Sequence, residues 1–400
     1  MTREEQQRRK REQQREQRRR HHEQREIAKG PIDLPFLLLV MILLSVGLIM
    51  LMSASFPSAQ VQGNAFSYII KQVQWAAIGL VGMFIVGKID YQRFRGVATI
   101  ALLISVVLLA LVLVPGIGIT RNNATRWLGI PNTEMTFQPT EIAKFGVIVY
   151  FAASISKKRE KMRTFQEGIL PYGVILVLVA GLVLLEPHMS GAILLLGIGA
   201  VMMAVGGIHW GWLALGGGGG AVGGYLLLYT DLMEKIGYNS HRITTWRDPF
   251  WDMQDKSYQM AQSFITIGSG GLWGVGLGKS RQKFMFLPEE HNDFIFAVIC
   301  EELGLIGATL IMFLFALLIM RGYWLAIHAR DRFGSLLIVG VITQIALQTF
   351  LNIAVVSGVI PATGISLPFF SYGGTALVFQ LAEIGIVLSV SRQIPAPKNN

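Results

Sequence analysis

Long apolar runs recur along this chain from residue 33 to residue 391, separated by short polar or basic connections. Each is close to the roughly 20 residues that a helix needs to cross a hydrocarbon core. They cover residues 34 to 54, 68 to 87, 97 to 115, 138 to 155, 168 to 186, 189 to 206, 210 to 230, 292 to 320, 334 to 357 and 372 to 391. The pattern predicts an all-α polytopic membrane protein of about ten transmembrane helices. The first run is too long for a signal-peptide core and has no small-residue cleavage site behind it, so it is expected to stay in the mature protein.

Orientation follows from Lys and Arg, because short basic connections resist translocation. The basic connections hold Lys88, Arg93 and Arg95, then Lys157, Lys158, Arg159, Lys161 and Arg163, then Arg321, Arg330 and Arg332. With the N-terminal tail and the residues after Arg392, they place both termini in the cytoplasm. The connections at 56 to 67, 116 to 137, 231 to 291 and 358 to 371 then face outward. The third of these is one large extracytoplasmic loop between helices 7 and 8.

Composition agrees with that reading and excludes several others. Hydrophobic residues make up 52% of the 400 residues and charged ones only 15%, where a soluble chain of this length would form two or three domains. Residues 1 to 30 form a basic cytoplasmic tail with almost no apolar positions. Eleven Lys or Arg stand against six Glu before Ile32, half of the net charge of +10. Such a segment is expected to be disordered, to reinforce topology and to skim anionic lipid. It has no interleaved aromatic residues for base stacking, which argues against nucleic acid. Residues 31 to 393 read as one transmembrane domain and 394 to 400 as a short cytoplasmic tail. Cys300 is the only cysteine, which excludes intramolecular disulfides and thiolate clusters. No Walker motif, dinucleotide fingerprint or HExxH is present, so any driving energy must come with the substrate.

Candidate chemistry concentrates in the large outer loop, 231 to 291. Its aromatic residues (Tyr238, Trp246, Phe250, Trp251, Tyr258, Phe264, Trp273) predict an ordered segment with short amphipathic helices on the membrane surface. Gly268, Gly270, Gly271, Gly274, Gly276 and Gly278 allow close backbone approach to a ligand, although a flexible linker would look similar. Lys279, Arg281 and Lys283 follow, cations able to meet a pyrophosphate and equally able to be a solvated patch. His291, Asn292 and Asp293 open the eighth run. Asp at a helix start is commonly an N-cap. Its place beside Glu289, Glu290 and His291 also suits a general base, because burial and neighbouring carboxylates raise the pKa.

Ionisable residues inside the runs are the next signal, since each is costly in hydrocarbon. Glu141 and Lys144 lie three apart and can pair on one helical face, either as a structural pair or in a site. Val147 on the same run reads as lipid-facing. Glu186 ends the fifth run in LLEPHMSG, where Pro187 breaks the helix and lets an acid line a cavity. Glu301, Glu302 and Glu383 are weaker candidates, with helix contacts as the default. Glycines 216 to 220 predict a close approach of the seventh run to a neighbour. PATGISLPFFSYGG, 361 to 374, reads as a broken or re-entrant segment protected by protein.

Five segments in this order, RWLGIPNTEMTFQPTEIAK (126 to 144), LLEPHMSG (184 to 191), YNSHRITTWRDPF (238 to 250), YQMAQSFITIGSGGLWGVGLGKSRQKFMFLPEEHNDFIFAVICEELG (258 to 304) and PATGISLPFFSYGG (361 to 374), resemble the SEDS family (shape, elongation, division and sporulation). The resemblance spans about residues 31 to 393. It implies a peptidoglycan glycosyltransferase that polymerises lipid II, the disaccharide peptide carried on undecaprenyl pyrophosphate, outside the cytoplasmic membrane beside a class B penicillin-binding protein. It puts the catalytic aspartate at Asp293 and a functional acidic and basic pair at Glu141 and Lys144. Glu186 is then a cavity group, and Arg242, Arg247, Lys279 or Lys283 would stabilise charge on the pyrophosphate. His188 stands where the family commonly has Asp and is left unassigned. The resemblance admits a divalent cation, Mg or Mn, as an aid, but the sequence shows no ligand cluster to place one. The basic tail and the run GPIDLPFLLL look more like the division and sporulation branch, which implies a place at the septum. A flippase for the same lipid is the rival, since broken helices and intramembrane charges also describe a carrier. A scaffold that only recruits the penicillin-binding protein is a third class.

Overall fold

The computed structural model describes residues 30 to 61, 63 to 121, 124 to 129, 136 to 229 and 241 to 394. The basic tail up to residue 29, Tyr238 with the first part of the large loop, and the terminal segment from 395 lie outside the described residues. Helices cover every apolar run. They are α1 (Leu34–Val61), α2 (Ser67–Lys88), α3 (Phe94–Val112), α4 (Pro139–Lys158), α5 (Leu170–Leu185), α6 (Met189–Val205), α7 (Trp210–Tyr229), α8 (His241–Arg247), α9 (Tyr258–Ser269), α10 (Ile295–Ile327), α11 (Arg332–Val356) and α12 (Gly374–Ser391). Polar residues at the starts set some of the boundaries. Asp33 Oδ1 accepts from the Phe36 N–H at 2.9 Å, and Asp331 Oδ1 from the Gly334 N–H at 2.8 Å, each satisfying an orphan donor of a first turn.

Among the described residues, seven helices are long and apolar enough to cross a membrane: α1, α2, α3, α5, α10, α11 and α12, with α6 apolar but shorter. α4 and α7 fall short for different reasons. Glu141 and Lys144 lower the hydropathy of α4, and five consecutive glycines dilute α7. α4 lies at the centre, packed against α3, α6 and α11. Val147 is accordingly fully buried and does not face lipid, contrary to its sequence reading. A Cβ built on any of glycines 216 to 220 would meet nothing within 4 Å, so this stretch makes no close helix contact among the described residues either.

The fold is not purely helical. Between α3 and α4, Gly118–Arg121 (β1), Ala124–Gly129 (β2) and Thr136–Phe137 (β3) form an antiparallel sheet in the order β1-β2-β3. Thr120 pairs with Thr125, their hydroxyls 2.7 Å apart, as β-branched residues favour.

α10 is broken at Gly304, whose φ of 68° and ψ of −173° are open to glycine alone. The glycine-rich loop fills the break. A Cβ on Gly304 would lie 2.3 Å from the Gly274 nitrogen, and one on Gly274 would lie 2.2 Å from the Glu302 carbonyl oxygen. At Gly270 and Gly274 the close approach is to α10 itself, a Cβ on Gly270 lying 2.0 Å from the Cys300 carbonyl oxygen. Gly304→Ala is expected to cost on the order of 1–3 kcal/mol from backbone strain, with the steric clash adding to it. The check is the thermal midpoint of the purified protein by tryptophan fluorescence; an unchanged midpoint would contradict this account.

Candidate functional site

The site grows from a tight turn ahead of α10. The N–H groups of Asn292 and Phe294 both donate to the Glu289 carbonyl, at 3.0 and 3.3 Å, and Glu289 itself has φ +56°. Each of the next carbonyls is then held by the irregular segment after α11 or by α11 itself. Tyr372 N–H donates to the His291 carbonyl at 2.9 Å and Ser371 Oγ to that of Asn292 at 2.7 Å. Asn352 Nδ2 donates to the Asp293 carbonyl at 2.8 Å and to that of Ile365 at 2.6 Å. The irregular segment is buried inside the bundle, with Leu367, Phe369 and Phe370 in the core, as a protein-protected broken segment requires.

With its backbone fixed, the Asp293 side chain lines a cavity of about 1570 Å³. That exceeds the roughly 300–1,000 Å³ of ordinary small-ligand sites and has room for a large, partly polar substrate. α10 begins only at Ile295, with Phe294 at its N-cap position and no side-chain cap bond. Asp293 is thus in the connection ahead of the helix and is not its cap. The Asp293 side chain is half-buried at the cavity wall, and desolvation pushes its pKa up to about 6 from 3.8; Glu289 adds to the rise, while Arg126, Arg242 and His291 oppose it. Gly364 gives it space: a Cβ there would sit 3.2 Å from Asp293 Oδ2, and the φ of +70° suits glycine.

Two arginines reach the same space from different elements. Arg242 on α8 lines the cavity and donates to the Ala362 carbonyl at 3.1 Å, while Trp246 one turn on donates to that of Gly358 at 2.9 Å. Arg126 on β2 lines the cavity too, its guanidinium bonded to the carbonyls of Glu186 (3.4 Å) and Pro187. The little sheet exists, in effect, to bring Arg126 over the α5–α6 junction. Lys71 on α2 and Lys256 ahead of α9 add further positive charge to the lining, and Asp255 and Glu289 add negative charge. Arg126, Lys71 and Lys256 were not singled out from the sequence. For Lys71 the available signal was a charge inside an apolar run; for Arg126 it was its place in the RWLG segment.

The cavity floor carries Glu141 and Lys144. Lys144 Nζ is 2.8 Å from Glu141 Oε2 and the Lys144 side chain is only 1% exposed. His188, in the α5–α6 junction, lies beside them with Nδ1 3.3 Å from both Thr140 Oγ1 and Gln138 Nε2. Burial, then Arg126 and Lys144, push its pKa down to about 3, so its imidazole is neutral at pH 7. It supplies hydrogen bonds where an acid would supply charge.

Other sequence candidates lie elsewhere. Glu186 is fully buried but does not line the cavity. Neither of its carboxyl oxygens has a hydrogen-bond partner among the described residues, and burial pushes its pKa up to about 8 against the pull of Arg126. It stands behind Arg126 and not in the cavity. Lys283 is buried in an ion pair with Glu302 at 2.8 Å and also donates to Ser53 Oγ at 2.9 Å. The glycine-rich loop just ahead of Lys283 is bonded to the Glu301 and Glu302 carbonyls and so brings the two together, which residue type alone could not reveal. Arg247 and Lys279 are exposed and off the cavity wall. Glu301 accepts from Ser280 Oγ and the Arg281 N–H, a structural contact. Glu383 accepts from Gln344 Nε2 at 2.7 Å. Among the described residues, no group of three or more His, Cys, Asp or Glu side chains is placed to hold a metal ion.

Comparison with known proteins adds an independent line. The family model of the FtsW, RodA and SpoVE cell cycle proteins matches residues 34 to 395. Stage V sporulation protein E of Bacillus subtilis is 38% identical over 364 residues, covering 90% of this chain and 97% of that one. A probable peptidoglycan glycosyltransferase FtsW of Geobacter sulfurreducens is 38% identical over 370 residues, 90% of this chain and 95% of the relative. Among solved structures, a chain of a peptidoglycan synthase complex that coordinates polymerization and crosslinking superposes with a TM-score of 0.75 at 28% identity, over 90% of this chain and 98% of that one. The rod shape determining protein RodA of Thermus thermophilus gives 0.66 at 26% identity, over 93% and 100%.

Proposed function

The chain belongs to the FtsW, RodA and SpoVE family of cell cycle proteins, and from that premise we propose that it is a peptidoglycan glycosyltransferase polymerising lipid II at the outer face of the cytoplasmic membrane. The observation that carries the mechanism is the Asp293 carboxyl, raised to a pKa of about 6 and facing a large cavity between Arg126 and Arg242. A general base works best with a pKa near the operating pH. Asp293 removes the proton of the acceptor sugar hydroxyl as its oxygen attacks the anomeric carbon of the donor. The bond from that carbon to the pyrophosphate oxygen breaks, and the electron pair leaves with the pyrophosphate. Arg126 and Arg242 meet the charge that develops there, and being held by backbone carbonyls they need no rearrangement to do so. Glu141, Lys144 and neutral His188 hydrogen-bond the sugars from the floor. Arg247, Lys279, Lys283 and Glu186 have no place in this scheme, for the positions given above.

Ten spans with both termini cytoplasmic fit this reading, because they put Asp293 and the 358 to 371 connection on the outer side, where the lipid-linked substrate is consumed. Both relatives named above support a role in cell division or sporulation, and with it a place at the septum. The chain's described part has no large soluble domain, so crosslinking falls to a class B penicillin-binding protein, in keeping with the synthase complex among its structural neighbours. The test is incubation of the purified protein with lipid II, with and without such a partner, and gel analysis of glycan length. Long glycans that depend on the partner are expected. No polymer under either condition, together with lipid translocation in vesicles, would replace the enzyme by a flippase.

A further inference from the structure

Backbone that departs from the helix at membrane depth is stable only where protein satisfies its polar groups. In α10 the partner is the glycine-rich loop. The carbonyls of Glu301 and Glu302 accept from the N–H groups of Val275 and Gly276 at 2.9 and 3.0 Å. On the other side of Gly304, the N–H groups of Leu305 and Ile306 donate to the carbonyls of Gly271 and Leu272 at 2.9 and 3.2 Å. These contacts fall six to eleven residues into a helix that starts at Ile295. At 1.5 Å per residue, the loop is clamped roughly 9–17 Å along the helix from its outer end.

Apart from Lys279 and Arg281, the large side chains that the clamped loop turns outward are apolar. Trp273 is 81% exposed and Met285 67%, with Leu272, Leu277, Phe284 and Phe286 exposed as well. An exposed cluster of this kind marks a contact surface. Its nature follows from what it adjoins. Leu305, Ile306 and Leu310 on α10 are exposed beside it, and α10 is one of the helices long and apolar enough to span a bilayer. Leu305 and Ile306 are bonded directly to the loop, so its exposed apolar side chains adjoin that exposed face of α10. The loop also brings the partners that acids at this depth require, since Lys283 pairs with Glu302 and Ser280 with Glu301. Exposed Lys279 and Arg281 stand between its two apolar runs, on stems long enough to reach upward to phosphate.

We infer that residues 271 to 286 form a non-helical segment dipping into the outer leaflet, with Trp273 at the headgroup and acyl-chain boundary and Lys279 and Arg281 against anionic lipid headgroups. The occupant of the patch is the bilayer, not a second protein. The inference rests on α10 spanning the membrane, not on the chemistry at Asp293.

The test uses the full protein in vesicles of phosphatidylethanolamine and phosphatidylglycerol. A nitroxide is placed on Trp273→Cys, the single native thiol, Cys300, being buried. A second label on Leu310→Cys reports the lipid face of α10. Both labels are expected to be several-fold more accessible to oxygen than to a water-soluble nickel chelate. Chelate access at position 273 with a lipid-exposed label at position 310 overturns the inference, and chelate access at both overturns it together with the spanning of α10. Shielding at position 273 that requires an added penicillin-binding protein also overturns it. If the labelled variant does not fold, brominated lipid supplies the readout: Trp273→Phe should remove part of the tryptophan quenching, and unchanged quenching overturns the inference.

Discussion

Asp293→Asn is expected to lower the polymerisation rate at least about a hundredfold, the usual share of acid–base catalysis, while the protein inserts and folds as before. The substitution keeps size and hydrogen-bonding shape and removes only the proton acceptor. Folding should not suffer, because the Asp293 side chain caps no helix and the backbone carbonyl that Asn352 holds is untouched. The sign of the electrostatic effect points the same way. The folded-state pKa of about 6 lies above the ordinary 3.8, so the native state favours the protonated form. Stability from this group is fully present below the ordinary value and is lost as pH rises through about 6. At pH 7 the partly desolvated carboxylate is therefore a burden, and the Asn variant should melt no lower than wild type. Activity runs in the opposite direction, since the base must be ionised: the rate of the wild type should climb as pH rises through about 6 and then level. Near-normal glycan synthesis by the Asn variant, or a wild-type rate indifferent to pH across this window, would falsify the base assignment.

What could be read from the sequence, and what could not, divides along physical lines. The helices were legible because hydrocarbon demands about 20 apolar residues in a row, a signal local to each segment. Asp293 was legible as an acid at the junction of a loop and an apolar run, but not the choice between cap and base. That choice depended on where α10 starts, at Ile295, and on the bonds from Tyr372, Ser371 and Asn352 that hold the preceding carbonyls. Lys283 was misread because its partner Glu302 is 19 residues away, and the glycine-rich loop that folds back onto α10 to join them is announced by no periodicity. β1 to β3 were missed because their strands are at most six residues long and carry no sustained alternation. With them went Arg126, whose position depends on that sheet. Val147 was placed on lipid because an apolar residue on an amphipathic-looking helix defaults there, whereas α4 is enclosed on several sides.

Lys144→Met should be the most damaging change to the cavity floor, in stability and in activity together. Lys144 is 1% exposed and pairs with Glu141 at 2.8 Å. Removing it leaves a nearly buried carboxylate without its cation, at a cost of about 3–5 kcal/mol where one partner of a buried pair is lost. The thermal midpoint and the yield of folded protein should both fall. The double variant Glu141→Gln with Lys144→Met removes the orphan charge and should recover most of the stability. Polymerisation should not return with it, because both side chains line the cavity, and a hydrogen bond from a charged group to substrate is worth about 1.5–3 kcal/mol, roughly ten- to a hundredfold in kcat/KM. The pair Lys283 and Glu302 provides the contrast within the same molecule, being equally short and more fully buried but off the cavity wall. Lys283→Met with Glu302→Gln should recover stability and keep polymerisation. Full recovery of both properties by the Glu141 and Lys144 double variant would reduce that pair to the same structural role and leave the floor of the cavity without its substrate contacts.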